Sequence, residues 1–193
     1  MPFEYITDFL KNYRQLGQKK LPNGTLLVGR APHIAPEAWL HRVFAPLAEK
    51  EIVFLEKQLG ESIPPSYRRF LLHSNGLAVF NTTLSMDGLR SNYKRTGNDA
   101  SGQPFDIVTP NTTEKPDDAD GLFFIGGYDW DGSKLCIRRS DEKVFVREAG
   151  TGALQSGWKN FDAMLSSELK RLKALFDSSG REIDSQQSTL PPH

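Results

Sequence analysis

The stretch 49–76, EKEIVFLEKQLGESIPPSYRRFLLHSNG, decides the fold of this chain. Its first half repeats apolar residues at the spacing of one face of an α-helix. These residues are Ala48, Ile52, Leu55 and Leu59. Gly60 follows the last of them, where a helix commonly ends in a left-handed conformation that glycine adopts without steric cost. We therefore predict a helix from about Glu49 to Gly60.

A second helix is predicted directly after the first. Pro64 and Pro65 prevent the first helix from continuing, yet proline is tolerated in a first helical turn because the N–H group it lacks would be unpaired there. The next apolar face consists of Tyr67, Phe70 and Leu71. We interpret Asn75-Gly76 as the C-cap of this helix, and both apolar faces must pack on the rest of the chain.

The composition indicates one soluble domain. The 193 residues include 12 Phe, 5 Tyr and 3 Trp, and 38% of the chain is hydrophobic, which is enough for one core. Because 24 basic and 24 acidic residues balance, we expect no overall field that attracts nucleic acid or an anionic membrane. The single cysteine, Cys136, indicates a reducing compartment. No apolar run approaches the roughly 20 residues of a membrane span, so we expect a cytoplasmic protein.

The pattern around this stretch predicts helices before it and strands after it. The predicted helices are 3–16, Glu37–Phe44 and Trp158–Phe176, the clearest strands are 122–125, 135–139 and 144–147, and polar loops are expected at 91–103 and 110–121. Residues 177–193 are polar and are predicted to be disordered. Strands in series after helices indicate an α+β fold, with helices packed on a mainly antiparallel sheet.

Several motifs along the chain resemble one known family. The first motif is Ile52-x-x-Leu55-Glu56-x-x-Leu59-Gly60, followed by Ile63-Pro64-x-x-Tyr67-x-x-Phe70-Leu71-x-x-x-Asn75-Gly76. The later motifs are Phe124-Ile125-Gly126, Asp131-Gly132-Ser133 and Leu135-Cys136-Ile137, and then Trp158, Phe161 and Leu165. Together they resemble the SUKH superfamily, specifically its Smi/Knr-like branch. The resemblance covers about residues 45–170 of a domain that we expect over residues 1–176, with an N-terminal helical extension.

This resemblance carries expectations about structure and function. It implies an α+β fold of helices on an antiparallel sheet, without a cofactor and without an established catalytic site. Bacterial members are mostly immunity proteins, which bind and neutralise a toxin, often a nuclease, delivered by neighbouring cells. A fungal relative is a regulatory hub in cell-wall synthesis. The resemblance therefore implies either an immunity protein for one toxin or a regulatory interaction module with several partners.

The motif Asp129-Trp130-Asp131-Gly132 is the strongest candidate for chemistry. Two carboxylates two residues apart can hold a cation or act as acid and base. The motif does not continue as a calcium-binding EF-hand loop, because Ser140 stands where that loop has its last glutamate. Aspartate and glycine are also ordinary turn residues between strands. We expect a structural turn, with an enzyme that uses Asp129 and Asp131 as the alternative.

Other catalytic and metal-binding patterns are missing from the sequence. It lacks the G-x-S-x-G motif, a P-loop and the glycine fingerprint of dinucleotide binding. The histidines lack the spacing of metal ligands; they are His33, His41, His73 and His193. Cys136 lies in an apolar strand, where a small buried core residue is the ordinary role. We therefore expect no enzyme, no cofactor and no metal site.

The charge distribution suggests a partner-binding surface. Between Gly97 and Ser133 there are eight acidic residues and one basic residue, so this part carries a net charge of −7. Charged loops beside aromatic side chains are typical of tight interfaces, although polar loops are often acidic without such a role. The candidate partner-binding residues are Asp117, Asp118, Asp120, Tyr128, Asp129, Trp130 and Asp131. We expect them to contact a protein partner, such as a toxin domain, and not nucleic acid or a membrane.

Overall fold

A computed structural model describes residues 3–93 and 102–192 of the chain. Within these ranges nine strands form one sheet, in which each strand pairs antiparallel with the next along the chain. The strands are β1 (Gln18–Lys20), β2 (Leu26–Arg30), β3 (Trp39–Val43), β4 (Leu77–Val79), β5 (Leu84–Met86), β6 (Leu122–Tyr128), β7 (Lys134–Arg138), β8 (Val144–Arg147) and β9 (Leu154–Trp158). The expected antiparallel sheet is confirmed.

Five α-helices accompany the sheet in the described ranges. They are α1 (Glu4–Lys11), α2 (Glu49–Leu59), α3 (Pro65–Leu71), α4 (Val108–Asn111) and α5 (Phe161–Lys173), and a 3-10 helix, Arg14–Leu16, follows α1. None of these helices is long and apolar enough to cross a membrane. Most of the loop predicted at 91–103, residues 94–101, lies outside the described residues, as does His193.

Helices α2 and α3 confirm the two predicted helices, although Ala48 of the predicted apolar face lies exposed just before α2. Ile52, Leu55 and Leu59 of α2 are buried, and Gly60 ends the helix with a φ of 71°. The Glu51 carboxylate accepts a hydrogen bond from the Ala48 N–H (2.8 Å), so an otherwise unpaired donor at the helix start is satisfied. Helix α3 begins at a proline and buries its predicted apolar face.

The helices and one face of the sheet share the main core. Its strand residues include Leu77, Val79, Leu84, Met86, Phe123, Ile125, Leu135, Ile137, Val144 and Val146. Its helix residues include Ile52, Leu55, Tyr67, Phe70, Phe161, Leu165 and Leu169. Each large apolar side chain that is fully buried stabilises the fold by about 1.5–3 kcal/mol. We call this sheet face the inner face and the opposite one the outer face.

Asn75 and Gly76 have a different role from the predicted helix cap. Helix α3 ends at Leu71, so the pair lies in the connection to β4. The Asn75 side chain donates to the Leu89 carbonyl (2.9 Å) and accepts from the Leu89 N–H (2.7 Å). A Cβ on Gly88 would lie 2.4 Å from the Asn75 carbonyl oxygen, which explains the glycine there. Asn75 therefore fixes the start of the long connection between β5 and β6.

The N-terminal extension is only partly helical, which corrects the prediction. Helix α1 and the 3-10 helix fall within 3–16, but the segment predicted as a helix at Glu37–Phe44 contains strand β3. Its residues pair with β2 on one side and β4 on the other, so the sheet satisfies their backbone groups. A short apolar run does not by itself distinguish a strand from a buried helix.

The C-terminal part differs from the prediction at both ends of α5. Strand β9 precedes the helix, which starts later than predicted because the Asn160 side chain accepts from the Ala163 N–H (2.9 Å) and caps it. The tail predicted to be disordered has defined contacts over residues 177–192. The Arg171 guanidinium donates to the Thr189 carbonyl (2.6 Å), and the Ile183 N–H donates to the Leu175 carbonyl (2.9 Å). Hydrogen bonds to the end of α5 thus place a segment that has few apolar side chains.

Candidate functional site

The outer face of the sheet carries a cleft of about 920 Å³. Its floor includes a row of residues that lie opposite one another on four adjacent strands, namely Ser85, Gly127, Lys134 and Arg147. Directly paired residues of a sheet point to the same face. The row therefore faces away from the core, and the cleft is open to a partner without any rearrangement of the core.

The connection between β5 and β6 forms the wall of the cleft. Its described lining residues are Arg90, Tyr93, Phe105, Asp106, Thr109, Pro110, Glu114 and Pro116. The Asp106 carboxylate accepts from the Thr109 N–H (3.0 Å) and fixes the start of α4. The Asn111 amide donates to the Phe124 carbonyl (2.7 Å) and accepts from the Phe124 N–H (2.8 Å). The wall is thus held against β6 by hydrogen bonds.

The cleft contains side chains of both charges. The basic ones are Arg90, Lys134 and Arg147, and the acidic ones are Asp87, Asp106, Glu114 and Asp129. Arg147 forms an ion pair with Asp118 (2.6 Å), whose carboxylate is largely exposed. Arg90 donates to the Asn92 carbonyl (3.2 Å) and lies over the Tyr93 ring (5.6 Å). Two of the three basic side chains, Arg90 and Arg147, therefore already have partners within the chain.

Asp87 is a largely buried carboxylic acid that lines the cleft. It follows β5 directly, and only 7% of its surface is exposed. Burial raises the pKa of its carboxyl to about 7, Lys134 lowers that pKa and Asp106 raises it. Among the described residues no side chain or backbone group donates a hydrogen bond to this carboxylate.

A protein-family model matches the part of the chain that contains the cleft. The model of the SMI1 / KNR4 family (SUKH-1) matches residues 46–167. The chain belongs to this family. The resemblance predicted from the motifs is therefore confirmed, and with it the α+β fold. The match contains every described residue that lines the cleft, whereas β1–β3 precede it. A comparison with curated proteins gives no match.

Some of the predicted partner-binding residues of this SUKH domain are exposed near the cleft. Asp129 lines it and accepts from the Thr82 hydroxyl (3.0 Å), and the next residue, Trp130, is 43% exposed. Asp118 is joined to the cleft through its ion pair with Arg147. Asp117 and Asp120 are exposed on the connection before β6. Of the predicted acidic residues, Asp129 and Asp118 are thus connected to the cleft.

Tyr128 is a correction, because its side chain is not available to a partner. Only 3% of its surface is exposed, and its hydroxyl donates to the Glu168 carboxylate (2.7 Å) on the inner face. A β-bulge between Phe124 and Gly126 shifts the alternation of β6 by one residue. The bulge turns Tyr128 toward the helices and Gly127 toward the cleft.

Asp131 takes the structural role that we favoured for this motif. Its carboxylate accepts from the N–H (2.8 Å) and the hydroxyl (2.8 Å) of Ser133, which closes the turn between β6 and β7. Among the residues that the structure describes, no group of three or more His, Cys, Asp or Glu side chains is placed to hold a metal ion.

Sequence reasoning missed the floor of the cleft, although one signal pointed there. Two adjacent glycines inside a strand often mark a bulge or a close approach of backbones. A Cβ on Gly126 would lie 1.9 Å from the Ser85 carbonyl oxygen, and one on Gly127 would lie 2.5 Å from the Ser133 carbonyl oxygen. The glycine pair therefore marks the strand that crosses the cleft. No sequence pattern indicates that this glycine pair lies in the same cleft as Asp87.

Proposed function

We propose that this SUKH domain is a non-catalytic, cytoplasmic immunity protein that binds a cognate toxin and occludes its active or substrate site. Membership of a family of protein-interacting domains supports the binding part of the proposal. The observation that carries it is the outer-face cleft, which is lined by charged side chains of both signs and has exposed Tyr93, Phe105 and Trp130 in or near it. Aromatic anchors with flanking charge are typical of tight interfaces.

The arrangement of the carboxylates supports binding over catalysis. The Asp129 carboxylate accepts from Thr82, and the Asp131 carboxylate accepts two hydrogen bonds from Ser133. Both groups of the alternative enzyme hypothesis thus stabilise local structure.

The experiment that tests the proposal is co-expression with the toxin encoded by the adjacent gene. We expect a stable complex and protection of the cells. Ser85→Trp should abolish both, because it places a large side chain on the cleft floor without touching the inner face. Ser178→Trp, at an exposed position outside the cleft lining, is the matched control and should protect like the wild type. Full protection by Ser85→Trp would remove the cleft from the mechanism, and absence of any complex would refute the immunity function.

A regulatory module with several partners is the second candidate. The observation that favours it is the additional structure outside the family match, which comprises α1, β1–β3 and the packed tail. Deletion of residues 177–193 does not separate the two candidates, because loss of the Thr189 contact would lower stability in either case. Cross-linking in cells does separate them, since an immunity protein should capture one toxin and a hub several proteins.

A further inference from the structure

We propose that the outer-face cleft receives a basic side chain, an arginine or a lysine on a protruding segment of the protein partner, and that Asp87 is its anchor. The inference rests on the proposed function, because the partner is taken to be a protein. It adds the chemical group that the partner must present and the residue that receives it.

The backbone of Asp87 is held in place by hydrogen bonds. Its N–H donates to the Ile125 carbonyl (2.8 Å), and its own carbonyl accepts from the Tyr67 hydroxyl. Tyr67 is completely buried and also donates to the Ile125 carbonyl (3.0 Å), so it holds both strands together. The backbone of Asp87 is therefore fixed on two sides, and its side chain is presented to the cleft by a rigid support.

The Asp87 carboxylate is largely buried and has no partner within the described chain. More than nine-tenths of Asp87 is buried, and within residues 3–93 and 102–192 its carboxylate has neither a hydrogen bond nor an ion pair within 4.0 Å. Buried charged groups are ordinarily paired or hydrogen-bonded, because burial without a partner costs several kcal/mol. A largely buried carboxylate that has no partner among the described residues and borders an open cleft is a site for a donor that comes from outside.

The charges around Asp87 favour a basic ligand. Asp106 adds negative charge close to Asp87, and it already caps α4. Lys134 is the nearby cation, but it is exposed and hydrated, so it gains little from a ligand. Arg90 and Arg147 have partners of their own. The Asp87 carboxylate is therefore the group that a ligand would stabilise most. The described chain has no cluster of three metal-ligating side chains, which favours an ammonium or guanidinium ligand over a metal ion.

The cleft wall favours arginine within this class. Phe105 lines the cleft and is 49% exposed. A planar guanidinium can stack on such a ring while it donates two hydrogen bonds to a carboxylate, which an ammonium cannot do. Because the Asp87 carboxyl has a pKa of about 7, a bound cation must displace a proton at lower pH. Binding should therefore weaken by about 30-fold between pH 8 and pH 5.5.

An NMR titration tests the site with a defined probe, N-acetylarginine amide. We expect shifts of the Gly127 and Lys134 amide signals that saturate at millimolar probe, and no such shifts with N-acetylglutamate amide. Asp87→Asn should weaken binding at least tenfold, because the charge-assisted hydrogen bonds are lost. Lys134→Met should strengthen it, since it removes a competing cation. Glu182→Gln, at an exposed position outside the cleft lining, is the matched control.

Folding can be checked independently. Asp87→Asn should unfold at the same or a higher denaturant concentration than the wild type, because it removes an unpaired buried charge. Equal probe affinity in Asp87→Asn and wild type, or preferential binding of the acidic probe in the cleft, would overturn the proposal.

The toxin complex separates this inference from the proposed function. Asp87→Asn should weaken the complex by about 30-fold or more, as expected when one partner of a buried charge pair is removed. If Ser85→Trp abolishes toxin binding while Asp87→Asn leaves it unchanged, the immunity function holds and the anchor is wrong. If the arginine probe binds through Asp87 but no toxin complex forms, the basic-group site holds and the immunity function fails.

Discussion

The buried histidine of β3 gives the most quantitative prediction. His41 is completely buried, and the rings of Phe9, Tyr13 and Phe80 surround it at centroid distances of 5.0, 4.7 and 4.9 Å. Its Nδ1 accepts a long hydrogen bond from the Phe80 N–H (3.4 Å), and its Nε2 has no partner among the described residues. Burial without a compensating charge lowers the pKa of His41 from 6.5 to about 3.

The sign of the effect follows from proton uptake. Below pH 6.5 the unfolded chain protonates His41 while the folded chain keeps it neutral down to about pH 3. The stabilising contribution is therefore complete above pH 6.5 and is lost as the pH falls. The loss amounts to about 2 kcal/mol at pH 5 and about 5 kcal/mol below pH 3.

The Asp87 carboxyl changes the unfolding free energy with the opposite sign over the same pH range. The pKa of its carboxyl is raised from 3.8 to about 7, so its contribution is complete below pH 3.8 and is lost as the pH rises through 7. Between pH 7 and pH 5 this group adds about 2 kcal/mol of stability. The contributions of His41 and Asp87 to the pH dependence of stability should therefore nearly cancel in the wild type, so neither is visible there.

Urea unfolding of single variants at pH 7 and pH 5 exposes the two effects. Relative to the wild type, His41→Phe should gain about 2 kcal/mol of unfolding free energy between pH 7 and pH 5. Asp87→Asn should lose a similar amount over the same interval. Only the change in unfolding free energy between the two pH values is compared, so a repacking cost that is the same at both pH values cancels. An identical pH dependence of wild type and His41→Phe would refute the reasoning.

Three further changes test other contacts by urea unfolding. Glu168→Ala should cost about 3–5 kcal/mol, because it leaves the buried Tyr128 hydroxyl without its acceptor and the Arg171 guanidinium without its carboxylate partner, whereas Glu168→Gln should cost less. Gly126→Ala should cost about 3 kcal/mol or more, since its Cβ would collide with the backbone of β5. Gly150→Ala, at an exposed position, should cost far less. Equal costs of the two variants would show that the predicted collision does not occur. Asn160→Ala should cost about 1 kcal/mol by removing the cap of α5, and Asn160→Asp should retain most stability.

Local sequence signals predicted the parts of the fold that local contacts determine. Helices α2 and α3 follow from apolar spacing, a glycine end and a proline start, all within one stretch. The β7–β8 hairpin was also predictable, because its two apolar runs are separated by a short polar turn. The same residues carried the family resemblance, so fold class and family were accessible without coordinates.

The cleft itself is decided by tertiary structure. Ser85, Gly127, Lys134 and Arg147 lie on four different strands, and the strand register brings them into one row. Asp87 acquires its perturbed pKa from burial, which no local pattern encodes.

The deciding stretch thus determined by itself the two helices it forms, because helix signals act between residues three or four positions apart, and together with the later motifs it indicated the family. The bulge in β6 was decided only in three dimensions. Since one extra residue exchanges the two faces of a strand, it buried Tyr128 in the core and turned Gly127 toward the cleft. Strand pairing joins distant segments, and so the location of the candidate site had to come from the tertiary structure.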